Sequence, residues 1–467
     1  MSQFNTRSKQ QWRIPSARIT SDRGLDLNVE DSIMELVLYE NIEKPYCTGQ
    51  VAIAVNDAFV DENNFMGTER LTITIDSQSN RGDAPKVPSL GQSNQGRTFV
   101  MTSMESVIKS NEEGTGSIYV FTLIDEHAIA SKVKKISRSF GGELPLEIEM
   151  TRLVRELGKD IDFEMQPSKQ GARFKGYLPY LHPLEASEWL RDRITTDNEM
   201  PVFLYASMHR DNLVLSSLDR LMSKESFNPE KRRHYFFSGA DTQKQEYEDA
   251  PSSGLSPVDQ KQRAVKTFRA AKMQNQFNMA LQRGATGALI ATTNLNGEPK
   301  GSYIQAKHHP ITRTIGLMEN AGITRGGQQN VYDPQFSVEG AGPMHDNDAA
   351  IIHQILSENV YTKDWESIHF ESDIEKQFSK LSTNAMMAML YKNAYEVTID
   401  GSLLLREKKG VGDIISIDII SDYLNIEEKK SLDKLKSGDF LILGTRHTFK
   451  VPNHNVVLTV TKLSRED

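Results

Sequence analysis

Two dense β-forming runs separated by a short polar break lie between Phe440 and Val460, and an antiparallel hairpin is the simplest element that buries both. Phe440, Leu441, Ile442 and Leu443 make the first run; Val456, Val457, Leu458 and Val460 make the second. Branched and aromatic side chains of this kind fit a pleated, half-buried surface. Lys450 to Asn455 between them holds Pro452, Asn453 and Asn455, which favour turns. These residues predict a hairpin that closes a sheet at the end of the chain. His447 lies on its first strand, facing either solvent or a neighbouring subunit.

The same signature fills the region from Ile19 to about Ala130. Ile33 to Tyr39 is too densely apolar for a solvent-exposed strand, Gln50 to Val55 follows a turn at Pro45 to Gly49, and Leu71 to Ile75 alternates as LTITI. Thr98 to Ile108 and Ser117 to Ile124 flank a turn at Asn111 to Gly116. Short strands separated by turns predict an antiparallel sandwich or barrel. Ahead of it, residues 1–19 are polar, with Arg7, Lys9, Arg13 and Arg18, and read as an arm, either frayed or ordered by a partner.

Past Ser131 the period changes. Met150, Leu153, Val154, Leu157 and Ile161 fall on one face of a helix. Pro183 sits at the first position of a second helix, LEASEWLRDRI. Val202 to Tyr205 and Leu213 to Leu215 read as strands joined by a turn at His209 to Asn212, and Tyr235 to Val258, rich in Gly, Ser and Pro, is the best candidate linker. A helix is predicted over Gln260 to Arg283, then a strand over Thr286 to Thr293 that enters a hairpin turn at Asn296-Gly297. Beyond a loop-rich stretch from residue 306, a long helix carries Ile374, Phe378, Leu381, Ala385 and Ala388. It leads to strands at Tyr395 to Ile399 and Ile414 to Ile420. No internal repeat of solenoid length is present, but β-rich blocks at both ends are what a duplicated barrel looks like.

At 467 residues the chain is too long for one ordinary core, and 38% apolar with 25% charged residues is the balance of a folded globular protein. A net charge of −8 argues against a nucleic-acid-binding surface, which is usually basic. It leaves room for a conduit, because a neutral or acidic wall lets a polyanion slide. No apolar stretch approaches the length of a membrane-spanning helix, and MSQFNTRSKQQWRIPS lacks the apolar core of a secretory signal. Cys47 stands alone, which suits a reducing cytoplasm and a small core side chain.

Patterns that carry chemistry are missing from the sequence: there is no phosphate-binding glycine loop, dinucleotide fingerprint, H-E-x-x-H or G-x-S-x-G. His308 and His309 are adjacent and diverge in an extended segment, so they make poor joint ligands. His345, Asp346 and Asp348 are metal-capable but lack a second ligand set, and read as a polar loop before a helix from Asp348, with Asp346 or Asp348 as its N-cap. Glu112-Glu113 and Glu427-Glu428 are neighbours that do not share a face, so they form no acid–base dyad. Glu407 to Lys409 and Glu427 to Lys430 read as solvated turns. A hydrolase with a site between the α+β region and the second β-block would have to gather His182, Glu185, His209 and Asp211, and His182 reads better as a turn residue before Pro183. The expectation is a protein without catalytic, cofactor-binding or metal residues.

Three stretches resemble one known family. SIMELVLYENIEKPYCTGQVAIAV from Ser32, the region from YLPYLHPLEASEWL to MPVFLYASMHRDNLVLSSLDRLM, and the GDFLI, RHTF and LTVTKLSRED pieces of the last segment are similar to the central hub proteins in baseplates of T-even-like contractile-tailed phages. The resemblance implies an α+β fold of two tail-tube-like antiparallel β-barrels with α+β insertions. Its divisions are an arm over 1–19, a first barrel over 20–130, an insertion and linker over 131–257, a second barrel from 258–305 and 381–467, and a loop-rich insertion over 306–380. The function it implies is structural: a homotrimeric hub in the virion, assembled in the host cytoplasm, that adapts a trimeric tail spike to a hexameric tail tube. Its implied partners are the spike, the tube, other baseplate proteins and the tape measure, with DNA passing through unbound and no membrane insertion. A tail-tube initiator or wedge protein of the same barrel fold is the alternative.

Overall fold

The period-two runs at the two ends of the chain join in one sheet. The computed structural model describes residues 12–77, 96–109, 116–165, 173–224 (without 193, 195 and 197–199), 226–227, 235–237, 262–270, 287–292, 337–338, 342–343, 351–356, 390–391, 394–419, 437–451 and 453–463. Its early strands are β1 Trp12–Thr20, β2 Asp26–Asn28, β3 Ile33–Asn41, β4 Thr48–Asn56, β5 Glu69–Ser77, β6 Arg97–Lys109 and β7 Gly116–Asp125. The middle strands are β8 Ile136–Pro145, β9 Ile161–Phe163, β10 Arg173–Leu181, β11 Val202–Ala206, β12 Leu213–Ser217, β13 Ser226–Phe227 and β14 Tyr235–Phe237. There follow β15 Thr267–Ala270, β16 Gly287–Thr292, β17 Ser337–Val338, β18 Gly342–Pro343, β19 Ile351–Leu356, β20 Ala394–Asp400, β21 Ile414–Ile419, β22 Gly438–Lys450 and β23 Asn453–Leu463. The main sheet runs β15-β20-β23-β22-β3-β4-β7-β6-β5-β1-β2, with β21 attached to β22 and to β13 and β14.

This sheet curls around two apolar cores, and β22 belongs to both. Its first part pairs with β21, from Ile417 opposite Gly438 to Ile414 opposite Leu441. The register against β23 shifts between Ile442 and Gly444, and from Gly444 onward β22 pairs with β3 instead, Gly444 opposite Asn41 through Lys450 opposite Glu35. Phe440, Leu441, Ile442 and Leu443 pack with Val397, Ile399, Val456, Leu458 and Val460 in one core, whereas Phe449 packs with Leu36, Leu38, Val51 and Ile53 in the other. The second barrel closes through β14, which pairs with β21 while Phe236 bridges Ala264, just ahead of β15. The first closes at Trp12, whose Nε1 donates to the Asn453 carbonyl at 2.9 Å and whose ring meets Phe449 edge-on.

The α+β region sits between the two cores because its small sheet β11-β12-β9 is apolar on both faces. Leu204, Ala206, Leu213 and Leu215 face the first core; Phe203, Tyr205 and Val214, at the alternate positions, face the second. A helix over Leu146–Arg155 and another over Pro183–Arg191 cover its first-core side, the second starting at Pro183 with His182 as N-cap. Gly412 (φ +82°) lies against the Tyr205 hydroxyl, where any Cβ would collide with it.

Several expectations are corrected. Residues 12–19 are strand, not arm: Trp12, Ala17 and Ile19 are buried and β1 pairs with β5. The linker expected from Tyr235 begins as β14, with Tyr235 fully buried. Thr267–Ala270 is a strand on β20, not part of a helix over Gln260 to Arg283. β16 pairs in parallel with β19 from the loop-rich region instead of entering the second barrel, and β19 stands where a helix from Asp348 was expected. The first helix ends at Arg155, and Ile161 opens β9. The Asn296-Gly297 turn, the helix over Ile374 to Ala388, and His308, His309, His345, Asp346 and Asp348 lie outside the described residues, as do Glu112-Glu113 and Glu427-Glu428.

Leu458 is fully buried in the second core opposite Val397. A carboxylate there has no route to water, so Leu458→Asp is expected to lower stability by roughly 3–5 kcal/mol. Thermal unfolding followed by circular dichroism checks this, and an unchanged melting temperature contradicts the burial of β23.

Candidate functional site

The outward side of the main sheet has a distinct chemistry. One cross-strand row runs Thr48, Tyr39, Arg446, Val457, Thr398, Thr267. A second runs Ser103, Thr122, Gln50, Val37, Thr448, Asn455. Residues directly opposite across a ladder share a face, so hydroxyls and amides dominate this side while aliphatic side chains fill the other. A trough of about 950 Å³ crosses the middle of the face, over the place where β22 meets β3, with Tyr39, Gln50, Arg269, Glu396, Arg446 and Thr459 among its walls.

Charges on this face are few and mostly paired. Glu35 meets Lys450 at 3.8 Å, Arg269 Nε donates to Glu396 at 2.6 Å, and Arg446 lies over the Tyr39 ring. Glu105 accepts from Gln50 and Thr122 at 2.7 and 2.8 Å, and Lys266 Nζ donates to Asn455. Around the trough, among the described residues, Glu35, Glu105 and Glu396 stand against Lys266, Arg269, Arg446 and Lys450. The described charges around the trough therefore nearly balance.

Beneath the face a buried polar network fixes the strands. Glu40, on the inward side of β3, accepts from the Met208 backbone N–H at 2.6 Å and from Thr445 Oγ1 at 2.7 Å, tying β3 to β22 and to the β11–β12 turn. Arg97 at the start of β6 forks onto Asp125 at 2.9 and 2.6 Å, donates to the Ser207 carbonyl at 2.6 Å, and reaches Cys47 Sγ at 3.3 Å. Asp125 also accepts from the Cys47 backbone N–H at 2.6 Å. Burial opposes ionisation of Asp125, but the Arg97 guanidinium outweighs it and holds the carboxyl below its ordinary value. Burial pushes the Cys47 thiol well up, against the pull of Arg97, so the cysteine is a packed, unreactive member of the network.

Two of the four residues that a hydrolase would have to gather serve a helix cap. His182 and Glu185 form a capping box at the start of the Pro183–Arg191 helix, and His182 Nδ1 lies 2.7 Å from the Lys134 carbonyl. His209 is buried in the β11–β12 turn beside Gly410, while Asp211 is exposed. His447 faces neither solvent nor a neighbour: it is fully buried against His454 and Phe449. Among the described residues no three His, Cys, Asp or Glu side chains gather in a way that holds a metal, and no helix is long and apolar enough to cross a membrane. Arg97 and Asp125 escaped sequence reading. Glu40 carried a signal, since it shares the phase of Leu36 and Leu38.

Comparison with solved structures bears on this arrangement. A tail protein from Neisseria meningitidis MC58 superposes over 97% of this chain and 96% of its own, at 9% identity and a TM-score of 0.53. The chain has the fold of that tail protein. The 43 kDa tail protein of prophage MuSo2 from Shewanella oneidensis matches over 96% and 99% of the two chains, at 10% identity and TM-score 0.48. A chain of the Francisella PdpA–VgrG complex matches over 98% of this chain and 55% of its own, at 9% identity and TM-score 0.45. No protein-family profile matches the sequence, and no curated protein does.

Arg97→Met would leave Asp125 charged and buried with the Cys47 N–H as its remaining close donor. It is expected to cost roughly 3–5 kcal/mol, and Arg97→Met with Asp125→Leu to recover much of that loss. Urea unfolding of the two variants checks this, and a single variant as stable as the wild type contradicts the coupling.

Proposed function

We propose that the chain is a structural tail protein acting as a baseplate hub: three copies form a ring whose lumen is lined by the polar sheet face. The observation that carries this is the strip β15-β20-β23-β22-β3-β4-β7-β6, eight strands in which every neighbouring pair is antiparallel. An even number of alternating strands lets copies related by rotation join edge to edge without reversing direction. A head-to-tail contact of that kind closes into a ring when the rotation allows it. The β6 edge of the strip favours such a join. Among the described residues Ser103 to Lys109 of β6 pair with β7 on one side only, because β5 stops at Glu69 opposite Met101. Unpaired edges of this length are normally covered. Glu105 near one edge and Arg269 at the other bring opposite charges together in such a join.

Two similar barrels in each of three copies present six units to a hexameric tube and three to a trimeric spike, which is the role the resemblance implies. The near-neutral, hydroxyl-rich wall suits passage of DNA and of a tape-measure protein, since it offers few fixed cations to hold phosphates. The protein's role is then one of assembly, without turnover of its own. A tube initiator of the same fold would share the ring but bind no spike.

Sedimentation equilibrium and native mass measurement, alone and with the trimeric spike partner, are expected to give a trimer. A strict monomer under both conditions contradicts the hub. Duplex DNA should bind only near the non-specific floor, roughly 10⁻⁴ M at physiological salt; sub-micromolar binding would overturn the passive wall.

A further inference from the structure

Where the first barrel closes, the tip of the β22–β23 hairpin carries an aromatic stack that includes two histidines. His454 stacks on Phe449 with ring centroids 4.1 Å apart and on His447 at 5.3 Å, and Phe449 meets Trp12 of β1 at 5.2 Å. Gly401 closes over His454: its N–H donates to the His454 carbonyl at 2.9 Å, and a Cβ at this position would collide with the imidazole. Both histidines are fully buried. Their facing nitrogens, His447 Nδ1 and His454 Nε2, are 3.1 Å apart.

That contact needs one nitrogen to donate and the other to accept, so it fits the neutral pair. A further proton has two destinations. On the accepting nitrogen it destroys the hydrogen bond. On the outer side of the pair it makes a buried imidazolium, and His447 Nε2 has no hydrogen-bond partner among the described residues. The charged and titratable surroundings give little relief. His209 from the β11–β12 turn and Lys266 from the segment before β15 both oppose a positive charge here. Glu40 of β3 is already held by Met208 and Thr445, and Asp400 of β20 accepts from Ser402. Phe449, which stacks on both rings, and Leu38 and Val456, which lie opposite His447 across the ladder, are uncharged.

We propose that the His447–His454 pair is an acid-sensitive latch: protonating it loosens the hairpin tip from β1 and opens the first barrel at the seam that Trp12 closes. The sign follows from burial, which pushes His447 well below its ordinary 6.5 and His454 down to about 3. The stabilisation is complete above pH 6.5 and is lost progressively as the pH falls below that value toward about 3. The latch is independent of the hub reading, since it needs only the closed first barrel.

Hydrogen exchange of the full chain, read by mass spectrometry at pH 7.5 and pH 5.0 and corrected for intrinsic rates, tests it. Segments 12–20 and 444–458 are expected to lose protection by about 30-fold for each histidine titrated, while β4 and β7 keep theirs. His447→Gln and His454→Gln, which cannot take up the proton, are each expected to shrink that pH dependence. If a variant does not fold, the pattern in the wild type decides. Full protection of the tip at pH 5.0, a loss spread evenly over both barrels, or an undiminished pH response in folded variants would overturn the latch.

Discussion

The two barrels are held together by a strand that changes partners. β22 spends Gly438 to Leu441 beside β21 and Gly444 to Lys450 beside β3, with the register shift between Ile442 and Gly444 as the pivot. An extra residue at such a point bends the strand and raises its twist, which lets one continuous ladder serve two cores. Ile42 N–H donates to the Leu443 carbonyl at 2.9 Å and Ile442 N–H to the Asp413 carbonyl at 2.9 Å, so the backbone groups freed at the exchange stay satisfied on both sides. Moving the bulge by one residue would turn Thr445, His447 and Phe449 outward and Arg446 and Thr448 into the first core. The outward polar face and the buried aromatic stack are two consequences of one register.

Polar groups set that register more specifically than apolar ones can. Glu40 needs Thr445 from β22 and Met208 from the β11–β12 turn at the same time, and Arg97 needs both Asp125 and the Ser207 carbonyl. A slipped strand would leave these groups buried without partners, at a cost that an aliphatic residue does not impose. The α+β region therefore acts as a spacer whose two faces and one turn report on both barrels. Its double-sided burial explains why β12 has no exposed position.

Much of the sheet was legible, because apolar runs of period two have one simple use. β3, β4, β5, β6 and β7 lie where the alternation puts them, as do β11, β12, β20, β22 and β23. The losses have local causes. Pro15 interrupts WRIPSARIT and the β1 register shifts between Arg13 and Ser16, which hid a strand within an apparent arm. Ala-rich sequence around Thr267 favours a helix, but pairing with β20 overrides that weak preference. The parallel pairing of β16 with β19 joins segments far apart in sequence and leaves no local trace. His447 turns inward because the bulge between Ile442 and Gly444 inverts the phase of the strand, which leaves no local trace in the sequence. The polar face was invisible for a different reason: its residues are ordinary one by one, and only cross-strand pairing lines them up.

The central claim is that the eight-strand strip is a segment of a closed wall, with β6 of one copy beside β15 of the next. Disulfide trapping tests it directly, since Cys47 is the chain's single native cysteine and is buried. Glu105→Cys and Arg269→Cys in one chain, oxidised mildly and run on a denaturing gel, are expected to give a ladder that ends at three copies, while either single variant gives none. No cross-link, or a ladder that climbs without limit, would contradict the ring.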